Sequence, residues 1–155
     1  MTERIDIKSK TIEELKELLI QWGEKPFRAG QVFGWLHEKR VSSFEEMTNV
    51  SKILREKMAE DCKLVSVTEI DRLESVDGTK KFLFELADGQ AIESVLMKYH
   101  HGNSVCISSQ AGCRMCCKFC ASTLGGLIRN LTASEMLEQI YAIERITGEN
   151  VSNVV

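Results

Sequence analysis

Three cysteines in one short segment have a spacing that could bind a metal cluster. Residues 112–120 read Gly-Cys-Arg-Met-Cys-Cys-Lys-Phe-Cys, so three residues and then two separate Cys113, Cys117 and Cys120. Three thiolates on such a loop can hold three irons of a cubane iron–sulfur cluster and leave the fourth iron open to a substrate. No fourth ligand at matching spacing follows, and no His-x-x-x-His motif, as a zinc site would usually need. Buried cysteines or a partial zinc knuckle are the alternatives.

The residues around this loop make a more specific pattern. Cys106 and the segment Ser108-Ser-Gln precede the loop, and Phe119 stands between its last two cysteines. The spacing Cys-x-x-x-Cys-x-Phe-Cys resembles the signature of the radical S-adenosylmethionine (SAM) superfamily. With Cys106 and the Ser-Ser-Gln segment, it resembles the adenine carbon-2 methyltransferases of 23S rRNA and tRNA (the RlmN/Cfr family), whose Cfr-type relatives act at carbon 8. The resemblance is strongest over residues 93–135.

This resemblance implies two cofactors, a [4Fe–4S] cluster and SAM. Cys113, Cys117 and Cys120 would bind the cluster, and Phe119 would pack beside the cofactor. In the superfamily, one electron from the cluster cleaves SAM and releases a 5′-deoxyadenosyl radical. Radical chemistry is needed because carbon 2 of adenine is electron-poor and is not a nucleophile. In the family, a C-terminal cysteine is methylated first, and its methyl group then forms a covalent link to the RNA.

Two further positions match residues that resolve this link in the family. Cys106 lies seven residues before Cys113, where the family has the cysteine that frees the RNA by forming a disulfide. Glu93 lies thirteen residues before Cys106 and matches the base that removes the carbon-2 proton. Taken singly, Glu93 would be a surface charge at a strand edge and Cys106 a small buried hydrophobe. Their joint spacing favours the catalytic roles.

Two cysteines do not fit those roles. Cys116 departs from the family pattern, which usually has a small residue, often glycine, just before the second cluster ligand. The three-then-two spacing selects Cys117 as that ligand, so Cys116 is predicted to be a spectator. Cys62 has no partner at useful spacing and is predicted to be structural.

The length of the chain limits what it can contain. Its 155 residues suffice for one sizeable core, but family members have an accessory domain followed by a complete partial barrel. The family motif Gly-Met-Gly-Glu-Pro and the methyl-carrying C-terminal cysteine are absent from the sequence. We therefore expect an N-terminal fragment that is not active by itself.

Charge is distributed unevenly along the chain. The net charge is −3, which argues against a generally basic nucleic-acid binder. Residues 94–134, however, contain no Asp or Glu, and their cations are Lys98, Arg114, Lys118 and Arg129. A cationic stretch around the cluster loop suits an anionic partner such as RNA phosphates. Chance clustering of these charges is the alternative.

The expected partners and location follow from composition and from the resemblance. No apolar run of about 18 residues and no signal peptide is present, which predicts a cytoplasmic protein without a membrane span. The resemblance implies methylation of adenine 2503 in 23S rRNA and of adenine 37 in tRNA. It also implies an external, flavodoxin-like electron donor and a monomeric protein.

Periodicity divides the chain into three segments. Residues 1–62 read as a helical accessory domain with possible RNA contact, residues 63–102 as an antiparallel β meander, and residues 103–155 as the start of a barrel. The predicted fold class is thus an α+β N-terminal part, with a three-helix accessory domain and antiparallel strands. It leads into the first βα unit of a truncated radical SAM α/β partial TIM barrel.

Local signals place the elements within these segments. Capping boxes at Thr11–Glu14, Ser43–Glu46 and Thr132–Glu135 predict three helix starts, and the second of these helices should run from about residue 44 to 61. Asp77-Gly78 and Asp88-Gly89 predict hairpin turns between strands. Trp22 and Trp35 could stack on bases, although their helical spacing favours core packing. Further strands are expected through Val65, Val67 and Ile70, through Ile92, Val95 and Met97, and from Ser104 to Ser108. A helix is expected with a buried stripe of Leu137, Ile140, Tyr141 and Ile143.

Three other classes of function remain open. A different radical SAM reaction would keep the cluster loop but would not need Glu93 and Cys106. A non-catalytic iron–sulfur or zinc module would bind metal without cleaving SAM. A simple RNA-binding fragment would keep the cationic stretch and need no metal. The sequence does not separate carbon-2 from carbon-8 chemistry.

Overall fold

A computed structural model describes residues 4–155, which divide into two units between Val65 and Ser66. The first unit contains the helices α1 (Ile12–Gln21), α2 (Arg28–His37) and α3 (Lys52–Asp61). A two-residue strand at its start, β1 (Ile5–Asp6), pairs in parallel with another at its end, β2 (Cys62–Lys63). This pairing was not predicted, because two-residue strands leave no periodicity in the sequence.

Side-chain caps begin two of the three helices of the first unit, α1 and α3. The capping box at the start of α1 is confirmed: the Thr11 hydroxyl accepts a hydrogen bond from the Glu14 amide, and the Glu14 carboxylate accepts one from the Thr11 amide. The predicted helix from 44 to 61 is wrong. Its capping box closes only a 3₁₀ turn, Phe44–Glu46, and α3 begins afresh at Lys52 with the Ser51 hydroxyl as its cap. The intervening Thr48-Asn49 favours a turn over helix.

One apolar core holds the first unit together. Its largest fully buried side chains are Ile7, Leu15, Leu19, Leu36, Met47, Leu54 and Met58. Trp22 and Trp35 are half-buried and pack against this core, as their helical spacing predicted. Their outer faces lie under cations, with the Lys39 ammonium 3.7 Å from the Trp35 ring centroid.

The second unit is built on a five-stranded sheet. Its strands are β3 (Thr68–Glu74), β4 (Lys80–Glu85), β5 (Ala91–Tyr99), β6 (Gly102–Cys106) and β9 (Val151–Val154), in the order β3-β4-β5-β6-β9. The first four run antiparallel, and β9 pairs in parallel with β6. Both predicted hairpin turns are confirmed, with Gly78 and Gly89 in the left-handed region. The meander and the strand predicted to open a barrel thus belong to one sheet.

Three strand details differ from the predictions. The first strand begins at Thr68 rather than at Val65, and β6 covers residues 102–106 rather than 104–108. In β5 the buried face is formed by Ile92, Ser94 and Leu96, whereas Val95 faces the other side. The apolar pattern misled here because a buried serine occupies a core position that hydrophobicity alone would give to Val95.

A helix and a hairpin complete the second unit. The hairpin strands β7 (Gln110–Gly112) and β8 (Leu127–Asn130) flank the cysteine loop and were not predicted. The helix α4 (Ala133–Thr147) begins at the predicted Thr132 capping box and ends at Gly148, whose φ is +70°. Its predicted stripe is partly wrong, since Leu137 and Ile140 are only half-buried. The buried positions of α4 are Ser134, Glu135, Glu138, Gln139, Tyr141, Ala142 and Ile143.

The core of this unit lies between α4 and one face of the sheet. Phe82 and Phe84 of β4 are fully buried there with Leu96, Val105 and Ile143. The opposite face of the sheet carries polar side chains and half-buried apolar ones. Within residues 4–155, no helix is both long and apolar enough to cross a membrane.

Candidate active site

Glycine closes the base of the cysteine loop. The Cys113 amide donates to the Gly126 carbonyl at 3.0 Å, which ties the two ends of the loop together. Gly112 has φ +73°, and a Cβ at that position would stand 2.0 Å from the Gly126 oxygen. Only glycine therefore fits position 112 without moving the opposite strand.

Thr123 organises the second half of the loop. Its hydroxyl lies 3.0 Å from the Cys117 carbonyl and 2.8 Å from the Cys120 carbonyl. The Cys120 amide also donates to the Cys117 carbonyl at 3.1 Å, which makes a tight turn between these two cysteines. The Cys120 amide and the Thr123 hydroxyl, whose one proton is shared between two carbonyls, therefore restrain the backbone around the last two predicted cluster ligands.

The three predicted ligands have the right chemistry for an iron–sulfur cluster. Cys113, Cys117 and Cys120 are all free thiols of intermediate exposure on one loop, and thiolate sulfur is the ligand such clusters take. Among residues 4–155, however, no group of three Cys, His, Asp or Glu side chains is gathered closely enough to hold a metal ion. The donor set thus fits an iron–sulfur cluster by its chemistry, while the three thiols are not gathered around one point among the described residues.

Two other side chains of the loop point to solvent. Phe119 is 93% exposed, so it does not pack against the described residues. Cys116 is exposed and has φ +55°, a backbone conformation that favours glycine. This conformation accounts physically for the small residue, often glycine, that the resemblance predicts at position 116.

The register of β5 and β6 brings Glu93 and Cys106 to the same face of the sheet. Cys106 lies directly opposite Val95, and Glu93 is two residues from Val95 along the same strand. Diagonal neighbours of this kind have their Cα atoms about 7–8 Å apart. Both side chains are exposed, on the face opposite the core. Two residues that are thirteen apart in sequence thus become neighbours.

Glu93 has an ion-pair partner on the neighbouring strand. The Lys81 ammonium lies 2.7 Å from the Glu93 carboxylate, and both side chains are about half exposed. An exposed pair of this kind is weak, because water solvates both charges. The pair can therefore open when another group approaches the carboxylate.

One cavity of about 570 Å³ connects the sheet to the cysteine loop. Glu93 lies on its wall together with Cys113 and Cys120, while Cys106, Cys117 and Phe119 are not among its lining residues. The rest of the wall is largely small and polar, and comprises Gln90, Ala91, Ile92, Ser108, Ser109, Gln110, Gly112, Ser122, Gly125, Gly126 and Ile128. Such a wall offers hydrogen-bonding groups and room for a polar ligand.

Two of the four cations of residues 94–134 form ion pairs with acidic residues of the chain. Arg129 of β8 pairs in a bidentate manner with Glu135 of α4, at 2.8 Å on each side, and its third bond reaches Asp88 at 2.7 Å. These hydrogen bonds from Arg129 are the main cause that lowers the pKa of Glu135 and of Asp88. Lys98 pairs with Glu149 at 2.8 Å.

The remaining cations are Arg114 and Lys118, for which residues 4–155 supply no ion-pair partner. The cationic stretch therefore reduces to two free charges on the loop itself. Arg129 is a structural residue that ties the turn at Asp88, the strand β8 and the first turn of α4 together.

Sequence reasoning missed the polar residues that position the site. Gln139, Thr123 and Lys81 contact site residues or their backbone, yet none of the three belongs to a motif. Ser108 belongs to the Ser-Ser-Gln segment, but its hydrogen bond to Glu93 was not predicted. Gln139 gave no signal in the sequence, because it lies outside the predicted apolar stripe of α4 and helical periodicity treats a polar residue as solvent-facing.

Comparisons with known proteins find RNA methyltransferases among the relatives of this chain. Residues 5–64 match the family described as the ribosomal RNA large subunit methyltransferase N-terminal domain, RlmN_N. The whole chain is 62% identical to the "Probable dual-specificity RNA methyltransferase RlmN" of Lachnoclostridium phytofermentans, and covers 44% of it. Over 99% of the chain, it is 54% identical to the Bacillus subtilis protein of the same name, of which it covers 43%.

A solved structure shares the fold. The crystal structure of a radical SAM methyltransferase from Sphaerobacter thermophilus is 38% identical, with a TM-score of 0.85 over 97% of this chain and 45% of that chain. The fold is thus that of a radical SAM methyltransferase. Within that class, the chain is similar along its whole length to the RlmN methyltransferases, and residues 5–64 match their N-terminal domain. It spans less than half the length of the curated relatives that it matches.

Proposed function

We propose that this chain supplies the N-terminal part and the cluster loop of a radical SAM enzyme that methylates carbon 2 of adenine in 23S rRNA and in tRNA. The proposal rests on one geometric observation: Glu93, Cys113 and Cys120 surround the same cavity. The named activity of the relatives, dual-specificity RNA methylation, supports it. Adenine 2503 of the rRNA and adenine 37 of the tRNA are the proposed targets.

The cysteine loop is the proposed cofactor site. Cys113, Cys117 and Cys120 would bind a [4Fe–4S] cluster, and the cavity beside them would admit SAM. When bound, these cofactors supply the one-electron chemistry that makes a hydrogen-abstracting radical. The chain itself contributes three thiols on a loop that is tied at Gly126 and ordered by Thr123.

Glu93 and Cys106 would release the methylated RNA from a covalent thioether link to a protein cysteine. After the methylene radical has bonded to carbon 2, Glu93 would accept the carbon-2 proton as a general base. The unpaired electron of the ring passes to a one-electron acceptor, so that an aromatic ring and a closed-shell thioether remain. The Cys106 thiolate attacks the sulfur of the thioether, so that a disulfide forms and the carbon–sulfur bond breaks. The electron pair of that bond stays on carbon, which takes up a proton and becomes the methyl group. A thiol reductant then supplies two electrons to restore both cysteines.

The first test concerns the ligands. Anaerobic reconstitution of the chain with iron and sulfide should give a cubane cluster that is lost in Cys113→Ala, Cys117→Ala and Cys120→Ala. Cys116→Ala is the matched control and should keep the cluster, because its exposed thiol lies outside the three-then-two spacing. Loss of the cluster in Cys116→Ala but not in Cys117→Ala would overturn the assignment.

The second test uses the full-length enzyme that carries these residues. Cys106→Ala should keep the cluster and leave the protein covalently attached to its RNA, and Glu93→Gln should stall at the same link. Gels under denaturing conditions report the link, and mass spectrometry reports 2-methyladenosine. Multiple turnover by either variant would remove that residue from the mechanism.

Residues 1–155 by themselves are proposed to be inactive. The mechanism needs a methyl-carrying cysteine, and the six cysteines present already have other proposed roles. Reconstituted with SAM and a reductant, the chain should yield no 2-methyladenosine over several turnovers. Turnover would call for a different route of methyl transfer. The flavodoxin-like electron donor, the monomeric state and the cytoplasmic location stay predictions.

A further inference from the structure

Gln139 is a fully buried amide in the middle of α4. Its oxygen accepts hydrogen bonds from the Ser94 hydroxyl at 2.7 Å and from the Ser108 amide at 2.8 Å. Its nitrogen donates to the Ser108 carbonyl at 2.9 Å and to the Glu135 carbonyl at 3.2 Å. All four bonding positions of the side chain are therefore used, and none of them reaches solvent.

The side-chain amide of Gln139 makes the two backbone hydrogen bonds to Ser108 that a neighbouring strand would otherwise make. Strand β6 ends at Cys106, so Ser108 lies beyond the ladder that pairs β6 with β5. A side-chain carboxamide offers one acceptor and one donor side by side, as a backbone peptide group does. By bonding both the amide and the carbonyl of Ser108, Gln139 keeps this residue in an ordered position.

Ser108 in turn restrains the backbone of Glu93 through a hydrogen bond. The Ser108 hydroxyl donates to the backbone carbonyl of Glu93 at 2.6 Å. Ser94, the residue after Glu93, bonds to Gln139 directly from the buried face of β5. The backbone of Glu93 is thus held through the residue that follows it and through its own carbonyl.

We propose that Gln139 is a positioning residue for the proton transfer by Glu93, an inference that rests on the proposed function. From the covered side of the sheet, it fixes the backbone that presents Glu93 on the opposite face beside Cys106. An apolar side chain at position 139 could fill the same space in the core. It could not hold Ser108, and the backbone that places Glu93 on the wall of the cavity would then be less constrained.

Three variants separate positioning from simple stability. Gln139→Met keeps an unbranched side chain of similar length and removes all four hydrogen bonds. Ser108→Ala keeps Gln139 and breaks only the bond to the Glu93 carbonyl. Ile143→Ala, one turn further along α4, removes buried apolar volume without touching the polar network and serves as the destabilised control.

The first readout is amide hydrogen exchange in the 155-residue chain. In Gln139→Met, the Ser108 amide should exchange about tenfold faster than in Ile143→Ala, because its acceptor is gone. The Ile107 amide, which donates to the Val155 carbonyl, is the internal reference. Equal exchange of Ser108 in the two variants would overturn the inference.

The second readout is the ratio of covalent RNA adduct to released 2-methyladenosine in the full-length enzyme. Gln139→Met and Ser108→Ala should each raise this ratio about tenfold, which is less than the 10²-fold or larger effect of losing a general base. Ile143→Ala should lower adduct and product in proportion. If Gln139→Met fails to fold, Ser108→Ala still decides the question.

The outcomes distinguish the two proposals. If the wild-type enzyme makes 2-methyladenosine and the ratio stays unchanged in Ser108→Ala and in Gln139→Met, the positioning role is wrong and the proposed function stands. If the wild-type enzyme makes none, the proposed function fails, and the role of Gln139 in proton transfer fails with it.

Discussion

Burial separates the six cysteines into groups with different chemistry. Cys62 is 1% exposed in the core of the first unit, whereas Cys106 and Cys116 are exposed and the three predicted ligands are intermediate. A thiolate is stabilised by water or by positive charge, so an apolar core disfavours it. The structural role predicted for Cys62 agrees with its burial.

The thiol of Cys62 should therefore be inert in the folded chain. Burial, with Asp61 as the second cause, raises the pKa of Cys62 to about 12. At pH 8 in reducing, anaerobic buffer, iodoacetamide should label Cys106 and Cys116 but should reach Cys62 only after unfolding. Peptide mass spectrometry measures the rates, and labelling of Cys62 as fast as Cys106 would contradict this expectation.

The raised pKa of Cys62 also predicts how the free energy of unfolding changes at high pH. Because the folded pKa of Cys62 lies above the unfolded value of about 8.5, the neutral thiol favours the folded state. This contribution is complete below about pH 8.5 and is lost as the pH rises towards 12.

At the scale of elements, the loop depends on one glycine of its closing hairpin. Gly112→Ala should cost about 2 kcal/mol or more, because it combines a left-handed backbone with a Cβ that meets the Gly126 oxygen. The melting temperature of the second unit should fall by about 8 °C or more. Gly125→Ala is the matched control, since a Cβ there meets nothing within 4 Å, and it should change stability by less than about 0.5 kcal/mol. Equal melting temperatures for the two variants would disprove the role of Gly112.

Arg129 should make the second unit sensitive to acid. Its hydrogen bonds lower the pKa of Glu135 and Asp88, so both carboxylates favour the folded state when ionised. Their contribution is complete above the unfolded values of about 4 and is lost as the pH falls through the lower folded values. Urea unfolding between pH 6 and pH 2.5 should show a smaller loss of stability in Glu135→Gln than in the wild-type chain. An unchanged slope would exclude this explanation.

At pH 7 the same cluster should make Arg129→Ala costly. The bidentate partner Glu135 is 7% exposed and would be left as a buried carboxylate without its cation. We expect a loss of about 1–3 kcal/mol, measured by the same urea titration. Lys52→Ala breaks an exposed helical pair and should cost less than about 0.5 kcal/mol in the first unit.

At the scale of the whole molecule, each unit has a core drawn from its own residues. The buried apolar residues of the first core all lie between Ile7 and Cys62, and those of the second between Val67 and Ile143. Residues 1–65 should therefore fold when expressed alone, with a helical circular dichroism spectrum and a cooperative melt. Leu36→Ala should abolish that melt, because an internal cavity costs about 2–5 kcal/mol in a unit this small. A peptide without cooperative unfolding would contradict the separate core.

The amino-acid sequence determined the features that depend on neighbouring residues. The cluster spacing, the capping boxes at Thr11 and Thr132, and the glycine turns each involve groups three or four residues apart. Such short-range geometry is set by local bonding, so it can be recognised before any tertiary contact is known. The likeness of the cysteine segment to its family was readable for the same reason.

Only the tertiary structure decided which distant residues meet. Gln139 bonds to Ser94, 45 residues away, and Arg129 bonds to Asp88, 41 residues away. The pairing of β5 with β6 selected the face that Glu93 and Cys106 share, and a slip of one residue would have separated them. Buried polar contacts of this kind depend on how the strands and the helix pack. Hydrophobic periodicity identifies positions where apolar side chains are buried. It cannot identify a buried amide whose hydrogen-bond partners lie far away in the sequence.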